Sequence, residues 1–335
     1  MRRGLLVALL LALALCVAVP AHAASWARPQ IQTVVEHGLM GPSVAAFRPS
    51  QPLTRGELGQ ALTNLTGQDW TASEPGRHVL MWELDRDLVR ALGLGPSASA
   101  FQAQARAAGL KPPRRFGTEV VARLLSLRFN HPAATDAREL RPKDEATRAE
   151  AAYSLAAVLG LSPWDTQSVT DLAASFSLPS FSGWQRRVLA RAVSLVGYPY
   201  VWGGTSTGRQ TLFGVTSRGG FDCSGFVWRV YKLRPFPGAP QLQSVLRGRT
   251  TYQMSGEFPR RQRIKVGGLK PADLVFYGTR GTRSKPAEVI HMGIYVGNGW
   301  FIHSSGQGTT LMPLSGWYAD RFAWGRRPLR EAGLS

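Results

Sequence analysis

The sequence has 335 residues, 40 Lys and Arg against 21 Asp and Glu, and a formal net charge of +19 at pH 7. Residues 24–180 hold 16 basic and 15 acidic side chains, whereas residues 181–335 hold 22 and 6. This asymmetry predicts an anionic partner for the C-terminal half, although a basic surface that only keeps the protein in solution is the alternative. After the leader no apolar stretch is long enough to cross a bilayer, which excludes a transmembrane span.

The first 23 residues have the order of a secretory signal peptide. Arg2 and Arg3 precede an apolar stretch from Leu5 to Val19, and Ala-His-Ala follows at residues 21–23. We therefore predict a secreted protein that associates with the cell wall. Acylation of Cys16 is the lipoprotein alternative. Export favours a cell-wall polymer over nucleic acid as the anionic partner, and no nucleic-acid recognition motif is found.

A diverged repeat follows the leader. Phe-Arg-Pro at residues 47–49 and Thr-Arg-Gly-Glu at 54–57 recur as Leu-Arg-Pro at 140–142 and Thr-Arg-Ala-Glu at 147–150. The threonine and glutamate of each copy have the spacing of a helix capping box, which does not require the arginines at positions 55 and 148. A degraded middle copy is expected at residues 115–119, and each clear copy leads into a helical apolar pattern.

These motifs resemble S-layer homology repeats. The resemblance implies a small all-α domain over residues 24–162 that binds an anionic cell-wall polymer, with Arg55 and Arg148 facing the polymer. A helical spacer without a ligand is the alternative. Residues 163–183 are rich in serine, contain two prolines and show no sustained helical period, so we predict a linker there.

Cys223 is the only cysteine after the leader, so it has no intramolecular disulfide partner. The apolar spacing after it predicts a helix that begins at Cys223 with Asp222 as its cap. A helix N-terminus favours the thiolate, as a nucleophile requires. A small buried core residue is the alternative for an unpaired cysteine.

The only two histidines of the C-terminal half, His291 and His303, flank a predicted hairpin turn at residues 297–299. A two-residue turn would put them on opposite faces, whereas a three-residue turn or a compensating bulge pairs Gly293 with His303 and puts both histidines on one face. Proton transfer with Cys223 requires the second arrangement. A zinc site of these three residues is an alternative, but the close ligand spacing typical of such sites is missing.

Four motifs, at residues 200–204, 221–225, 269–277 and 291–297, resemble the NlpC/P60 cysteine peptidases. The resemblance covers about residues 184–328 and implies an α+β, papain-like fold in which helices pack on a mainly antiparallel sheet. It implies that Cys223 is the nucleophile, that His291 is the base that later acts as acid, and that His303 orients His291. The corresponding domain is 184–335. Insertions at 205–219 and 279–287 are expected to flank the cleft.

The resemblance further implies a peptidoglycan endopeptidase that cleaves stem peptides, at the bond between D-glutamate and the diamino acid, without cofactor or metal. Tyr200, Asp222 and Ser224 are the candidate substrate-binding residues. Asp273 is expected to fix a turn instead. An amidase or acyltransferase on the same residues is one alternative function, and a non-catalytic wall-binding protein is the other.

Overall fold

The computed structural model describes residues 25–128 and 139–334, so the predicted signal peptide lies outside the described residues. The first part of the described chain is helical. Its helices are α1 (Arg28–Glu36), α2 (Arg55–Thr66), α3 (Met81–Ala91), α4 (Gly95–Ala107), α5 (Phe116–Leu124), α6 (Arg148–Leu159) and α7 (Pro163–Ser175). No helix in residues 25–128 and 139–334 is both long enough and apolar enough to cross a membrane.

The second part mixes helices with antiparallel strands, and the α+β prediction is confirmed. Its helices are α8 (Gly183–Ser194), α9 (Cys223–Tyr231), α10 (Leu242–Val245), α11 (Thr251–Gly256), α12 (Trp317–Arg321) and α13 (Pro328–Glu331). Its strands are β1 (Thr205–Ser206), β2 (Gln210–Leu212), β3 (Val215–Ser217), β4 (Gly220–Phe221), β5 (Leu274–Gly278), β6 (Val289–Gly297), β7 (Trp300–Ser305), β8 (Gly308–Pro313) and β9 (Phe322–Arg326).

The main sheet has five strands in the order β8-β7-β6-β5-β9, and every neighbouring pair is antiparallel. Helix α9 packs against β6 and β7, and α8 packs against α9. Phe226, Val227 and Val230 form the buried face of α9 because they recur at helical spacing. The sheet and α9 together therefore bring the start of α9 beside the strands that carry the two histidines.

Three segments of the helical part meet in a closed ring of backbone hydrogen bonds. The Leu53 amide donates to the Ala146 carbonyl at 2.8 Å, the Ala146 amide to the Val79 carbonyl at 2.7 Å, and the Val79 amide to the Leu53 carbonyl at 2.9 Å. Thr54 caps α2 and Thr147 caps α6, as the repeat predicted. The third segment is therefore structurally equivalent to the two recognised copies.

The middle copy predicted at residues 115–119 is wrong, because the equivalent segment begins at Val79. There the Leu80 amide donates to the Glu83 carboxylate at 3.0 Å, as the Thr54 amide donates to Glu57 at 2.9 Å. Leucine replaces the capping threonine, so the sequence motif is lost while the backbone arrangement remains. Arg115 instead precedes α5 and residues 116–119 form its first turn, and the helix is mostly buried.

The predicted linker at 163–183 is also wrong in its first part, where residues 163–175 form α7 and pack against α4. The helix begins with the Ser162 amide donating to the Asp165 carboxylate at 2.8 Å. After α7, Phe176 is buried, and the centre of its ring lies 5.0 Å from the ring centre of Phe101 in α4 and 5.0 Å from that of Trp300 in β7. Serine composition therefore misled the prediction, since the aromatic contacts tie this segment to both parts.

Arg123 of α5 joins the helical part to the α+β part. Its fully buried guanidinium donates to the carbonyls of Gln307 at 2.6 Å and Gly197 at 2.7 Å, and to the Glu139 carboxylate at 2.9 Å. Removing a buried charge leaves its partners unpaired and costs more than the same change at the surface. Arg123 is therefore an anchor between the two parts of the chain.

We expect Arg123→Leu to lower the free energy of unfolding by about 3–5 kcal/mol, because two carbonyls lose their donor and Glu139 loses one of its cationic partners. Urea denaturation followed by tryptophan fluorescence measures this loss. Arg28→Leu, at an exposed position, is the control and should change stability by no more than about 0.5 kcal/mol. If both substitutions lowered the free energy of unfolding equally, the proposed role of Arg123 as an anchor would be contradicted.

Candidate active site

Cys223 is the first residue of α9, as predicted. Asp222 precedes it with extended backbone, and its carboxylate accepts a hydrogen bond from the Gly225 amide, so it caps the helix. Gly225 is required at this point, because a Cβ there would lie 1.8 Å from the Gly204 carbonyl oxygen. Cys223 is partly exposed as a residue. The helix start therefore presents the thiol where a substrate can reach it.

Arg249 connects several groups around Cys223 and was missed at the sequence level. Its guanidinium donates to the Ser224 hydroxyl at 2.6 Å and the Gly203 carbonyl at 2.9 Å, and it lies 3.3 Å from the Asp222 carboxylate. It lies in a loop 27 residues after Asp222 and outside every motif, so no sequence signal marks it.

The Asp222 carboxylate also accepts from the Gly203 amide and the Ser224 hydroxyl, each at 2.9 Å. A substrate ammonium group would thus compete with Arg249 for this carboxylate. The binding roles of Asp222 and Ser224 stay predictions.

The β6–β7 hairpin brings His291 and His303 to one face through a bulge. Gly293 pairs with His303, but the register shifts between Tyr295 and Gly297, so that Gly297 pairs with Trp300. The turn itself has two residues, Asn298 and Gly299, both with positive φ, as in a type I′ turn. The three-residue turn is therefore wrong, and the compensating bulge is what the structure contains.

The two imidazole rings are hydrogen-bonded, with His291 Nε2 2.8 Å from His303 Nδ1. His291 is partly exposed, whereas His303 is completely buried. The hydroxyl of Tyr318 lies 3.5 Å from His303 Nε2, at the outer limit of a hydrogen bond. Tyr318 belongs to α12, which the sequence motifs did not include. The contact leaves Nδ1 of His291 as the ring nitrogen available to another group.

Burial dominates the protonation of these three side chains. It raises the pKa of the Cys223 thiol to about 12, with the Asp222 charge adding to the shift, while the amides of Ser224 and Met292 and the charge of Arg249 oppose it. Burial lowers the pKa of His291 to about 4, and burial and the His291 charge hold the pKa of His303 well below 6.5. The free site therefore holds a neutral thiol and neutral imidazoles, and the predicted thiolate requires proton transfer to a base.

The backbone amide of Met292, the residue after His291, lies near enough to the Cys223 thiol to oppose the rise of its pKa. This contact brings the start of α9 and the middle of β6 together. Tyr200 is half-buried and forms a parallel bridge with Phe221, two residues before Cys223. Its predicted substrate contact stays a prediction. Asp273 accepts from the Lys270 amide at 2.8 Å and from Arg327, in agreement with its predicted turn role.

The first insertion forms the β2–β3 hairpin, and its turn residue Phe213 is 80% exposed. It leads through β4 directly into Asp222 and Cys223. The second insertion forms two short 3₁₀ turns and leads into β6, two residues before His291. Each insertion therefore adjoins a strand or helix that carries a site residue.

The two repeat arginines are paired within the helical part. Arg148 is 5% exposed, donates to the Phe47 carbonyl at 2.7 Å and pairs with Glu57. This burial argues against direct contact between Arg148 and a polymer. Arg55 is partly exposed and lies 3.2 Å from Glu83, so its polymer contact stays a prediction.

Among the described residues, no group of three or more His, Cys, Asp or Glu side chains is arranged to hold a metal ion.

Comparison with known proteins agrees with both parts of the chain. Probable peptidoglycan endopeptidase LytE of Bacillus subtilis is 33% identical over 132 residues, which is 39% of this chain and 30% of LytE. Murein DD-endopeptidase MepH of Escherichia coli is 36% identical over 134 residues, which is 39% of this chain and 41% of MepH. The matched region thus spans less than half the length of either relative.

Among solved structures, the peptidoglycan hydrolase RipB from Mycobacterium tuberculosis is 25% identical, covering 51% of this chain and 88% of that chain with a TM-score of 0.33. Residues 19–58 match the S-layer homology domain, and residues 197–327 match the NlpC/P60 family. The chain therefore carries an S-layer homology segment at its N-terminal end and an NlpC/P60 family domain in its C-terminal half.

Proposed function

We propose that this protein is a secreted peptidoglycan endopeptidase that hydrolyses stem-peptide amide bonds through Cys223, His291 and His303. The observation that carries the proposal is the 2.8 Å contact between the imidazoles of His291 and His303 on the two neighbouring strands, β6 and β7, against which the helix of Cys223 packs. A partly exposed cysteine and a partly exposed histidine beside a buried, hydrogen-bonded imidazole form an arrangement suited to nucleophilic catalysis.

The hydrogen bonds support one assignment of protons. If Nδ1 of His291 is to accept the thiol proton, its Nε2 carries hydrogen and donates to Nδ1 of His303. His303 then carries its hydrogen on Nε2, toward the Tyr318 hydroxyl. In this role His303 is a positioning residue, since it fixes the tautomer and ring orientation of His291 without contact with the substrate.

The reaction then proceeds in two steps. His291 takes the thiol proton, the sulfur of Cys223 attacks the amide carbonyl carbon, and His291 returns the proton to the leaving amine as the C–N bond breaks. Water, deprotonated by His291, attacks the thioacyl carbon and releases the carboxyl product and the thiol. The backbone amide of Cys223 lies at a helix start, has no acceptor within the helix and is suited to stabilise the oxyanion.

The neutral resting state makes His291 indispensable. Because burial raises the thiol pKa, few free thiolates exist near pH 7, and attack must be coupled to proton transfer. The lowered pKa of His291 keeps the imidazole unprotonated near pH 7, and it also makes the imidazole a weaker acceptor of that proton. The helix amides and Arg249 then stabilise the thiolate as it forms.

The substrate assignment is supported by the relatives, which are named as peptidoglycan and murein endopeptidases. The basic C-terminal half is suited to an anionic wall. Within the stem peptide, we propose cleavage between D-glutamate and the diamino acid. MepH is named a DD-endopeptidase, so the bond must be established by product analysis. An amidase or acyltransferase on the same residues predicts different products, and a wall-binding protein predicts none.

The function is tested by digesting purified peptidoglycan with the wild type and with Cys223→Ala and identifying fragments by mass spectrometry. We expect fragments with a new amino terminus on the diamino acid from the wild type, and at least about 10³-fold less from Cys223→Ala because the nucleophile is absent. His37→Asn, at an exposed position on the helical part, is the control and should retain wild-type activity. Equal release of fragments by the wild type and by Cys223→Ala would contradict the assignment of Cys223 as the nucleophile.

We expect His303→Ala to lower kcat on a soluble stem peptide by on the order of 10²-fold with little change in KM, because His291 loses its orienting acceptor. His303→Asn should restore part of kcat, since its carboxamide oxygen can accept from His291 Nε2. A merely structural role predicts no such rescue, and thermal melting of both variants measures folding separately.

The pH dependence follows from the burial of His291. Because its pKa is lowered to about 4, the base stays neutral and active well below pH 6.5 and is lost only as the pH falls through about 4. We expect kcat/KM for a soluble stem peptide to remain near its neutral value at pH 5.5 and to reach half of it near pH 4. A half-point near pH 6.5 would contradict the lowered pKa.

A further inference from the structure

A pocket of about 460 Å³ lies between α3, α4 and α5, and no residue of the site around Cys223 lines it. Four arginines line it: Arg86 and Arg90 from α3, Arg106 from α4, and Arg114 just before α5. None of the lining residues carries a carboxylate. We name this cavity the arginine pocket. It is also separate from the repeat arginines, neither of which lines it.

The positive charge of the arginine pocket is only partly balanced. Arg86 pairs with Asp87 at 2.8 Å. For Arg90, Arg106 and Arg114, no ion pair with an acidic side chain is found anywhere in residues 25–128 and 139–334. Guanidinium groups gathered around one cavity repel each other, and a bound anion would relieve that repulsion. The surrounding half of the chain is nearly neutral, so this concentration is local.

A buried donor in the wall of the pocket also lacks a partner. Gln102 is 9% exposed, and its side-chain oxygen accepts from the Gly117 amide at 3.2 Å. This bond fixes the orientation of the amide group and leaves the Nε2 donor without an acceptor among the described residues. An unsatisfied buried donor costs about 1–3 kcal/mol, and an oxygen of a ligand in the pocket would offset that cost.

Two of the arginines are held in place before any ligand enters. The guanidinium of Arg86 lies 5.3 Å from the ring centre of Trp82, and that of Arg90 lies 5.6 Å from the ring centre of Trp70. Such cation–π contacts restrict the side chains and lower the entropy lost when a ligand orders them. The pocket is therefore partly preorganised for an anion.

We propose that the arginine pocket binds a multivalent oxyanion, that is, a phosphate ligand or a polycarboxylate with at least two negative charges. Guanidinium groups match the geometry of such oxygens, and the Gln102 amide supplies a neutral donor beside them. The site is independent of the hydrolytic function proposed above, and its failure would leave that function untouched.

The test is isothermal titration calorimetry of the full chain with sodium pyrophosphate and, separately, with sodium citrate. We expect wild-type protein to bind one equivalent, and Arg106→Gln/Arg114→Gln to bind at least tenfold more weakly. Both residues are exposed, so this variant should fold normally. The matched control, Arg28→Gln/Arg48→Gln, removes the same charge from exposed positions of the same half and should bind like the wild type. Preference for pyrophosphate indicates a phosphate ligand, and preference for citrate a carboxylate ligand.

A second variant tests the buried donor. Gln102→Glu keeps the oxygen that accepts from Gly117 and replaces the free donor with a carboxylate oxygen, so we expect binding to be lost while the melting temperature confirms folding. Absence of wild-type binding to both anions would overturn the proposal. Equal weakening in the pocket variant and the control would also overturn it, since bulk charge would then explain the binding.

Discussion

The register of the β6–β7 hairpin is the constraint on which the candidate active site depends. Side chains alternate between the faces of a strand, so a slip of one residue moves a histidine to the other face. The two-residue turn at Asn298 and Gly299 would separate His291 and His303, and the bulge after Tyr295 reverses that effect. The bulge thus decides whether a base and its orienting partner exist.

Around Cys223, two physical effects oppose each other. Burial and the Asp222 carboxylate favour the neutral thiol, whereas the helix-start amides and Arg249 favour the thiolate. The carboxylate is needed nonetheless, because it caps α9 and holds the loop at Gly203. The result is a thiol that needs a neighbouring base, and burial keeps that base neutral over a wide pH range. The Asp222 side chain therefore couples the stability of the start of α9 to the reactivity of the Cys223 sulfur.

Backbone hydrogen bonds hold the helical part together as much as the side chains of the repeat motif do. The closed ring of hydrogen bonds through Leu53, Val79 and Ala146 needs only extended segments ahead of α2, α3 and α6. Because backbone groups make these hydrogen bonds, the side chains at the same positions can change. The third copy, which begins at Val79, therefore keeps its backbone arrangement without the capping threonine. Arg123 then fixes this part to the α+β part through carbonyls that any residue supplies. The third segment of the ring and the contacts of Arg123 leave no recognisable sequence pattern.

Local sequence determined the helix start at Cys223, the capping threonines and the hairpin, because each depends on spacing and short-range hydrogen bonds, whereas the α+β class was implied by the resemblance of the four motifs. It also named Cys223, His291 and His303 as the residues to examine. Only the tertiary structure decided the bulge that pairs the histidines, the contacts of Arg249 and Tyr318, and the burial of Arg148. These depend on segments distant in the chain, where a pairing shift of one residue or an ion pair across the fold has no signature in sequence. The same reason applies to residues 163–175, which form a helix within the segment predicted as a linker: the surface of α4 that packs against them lies far away in the sequence.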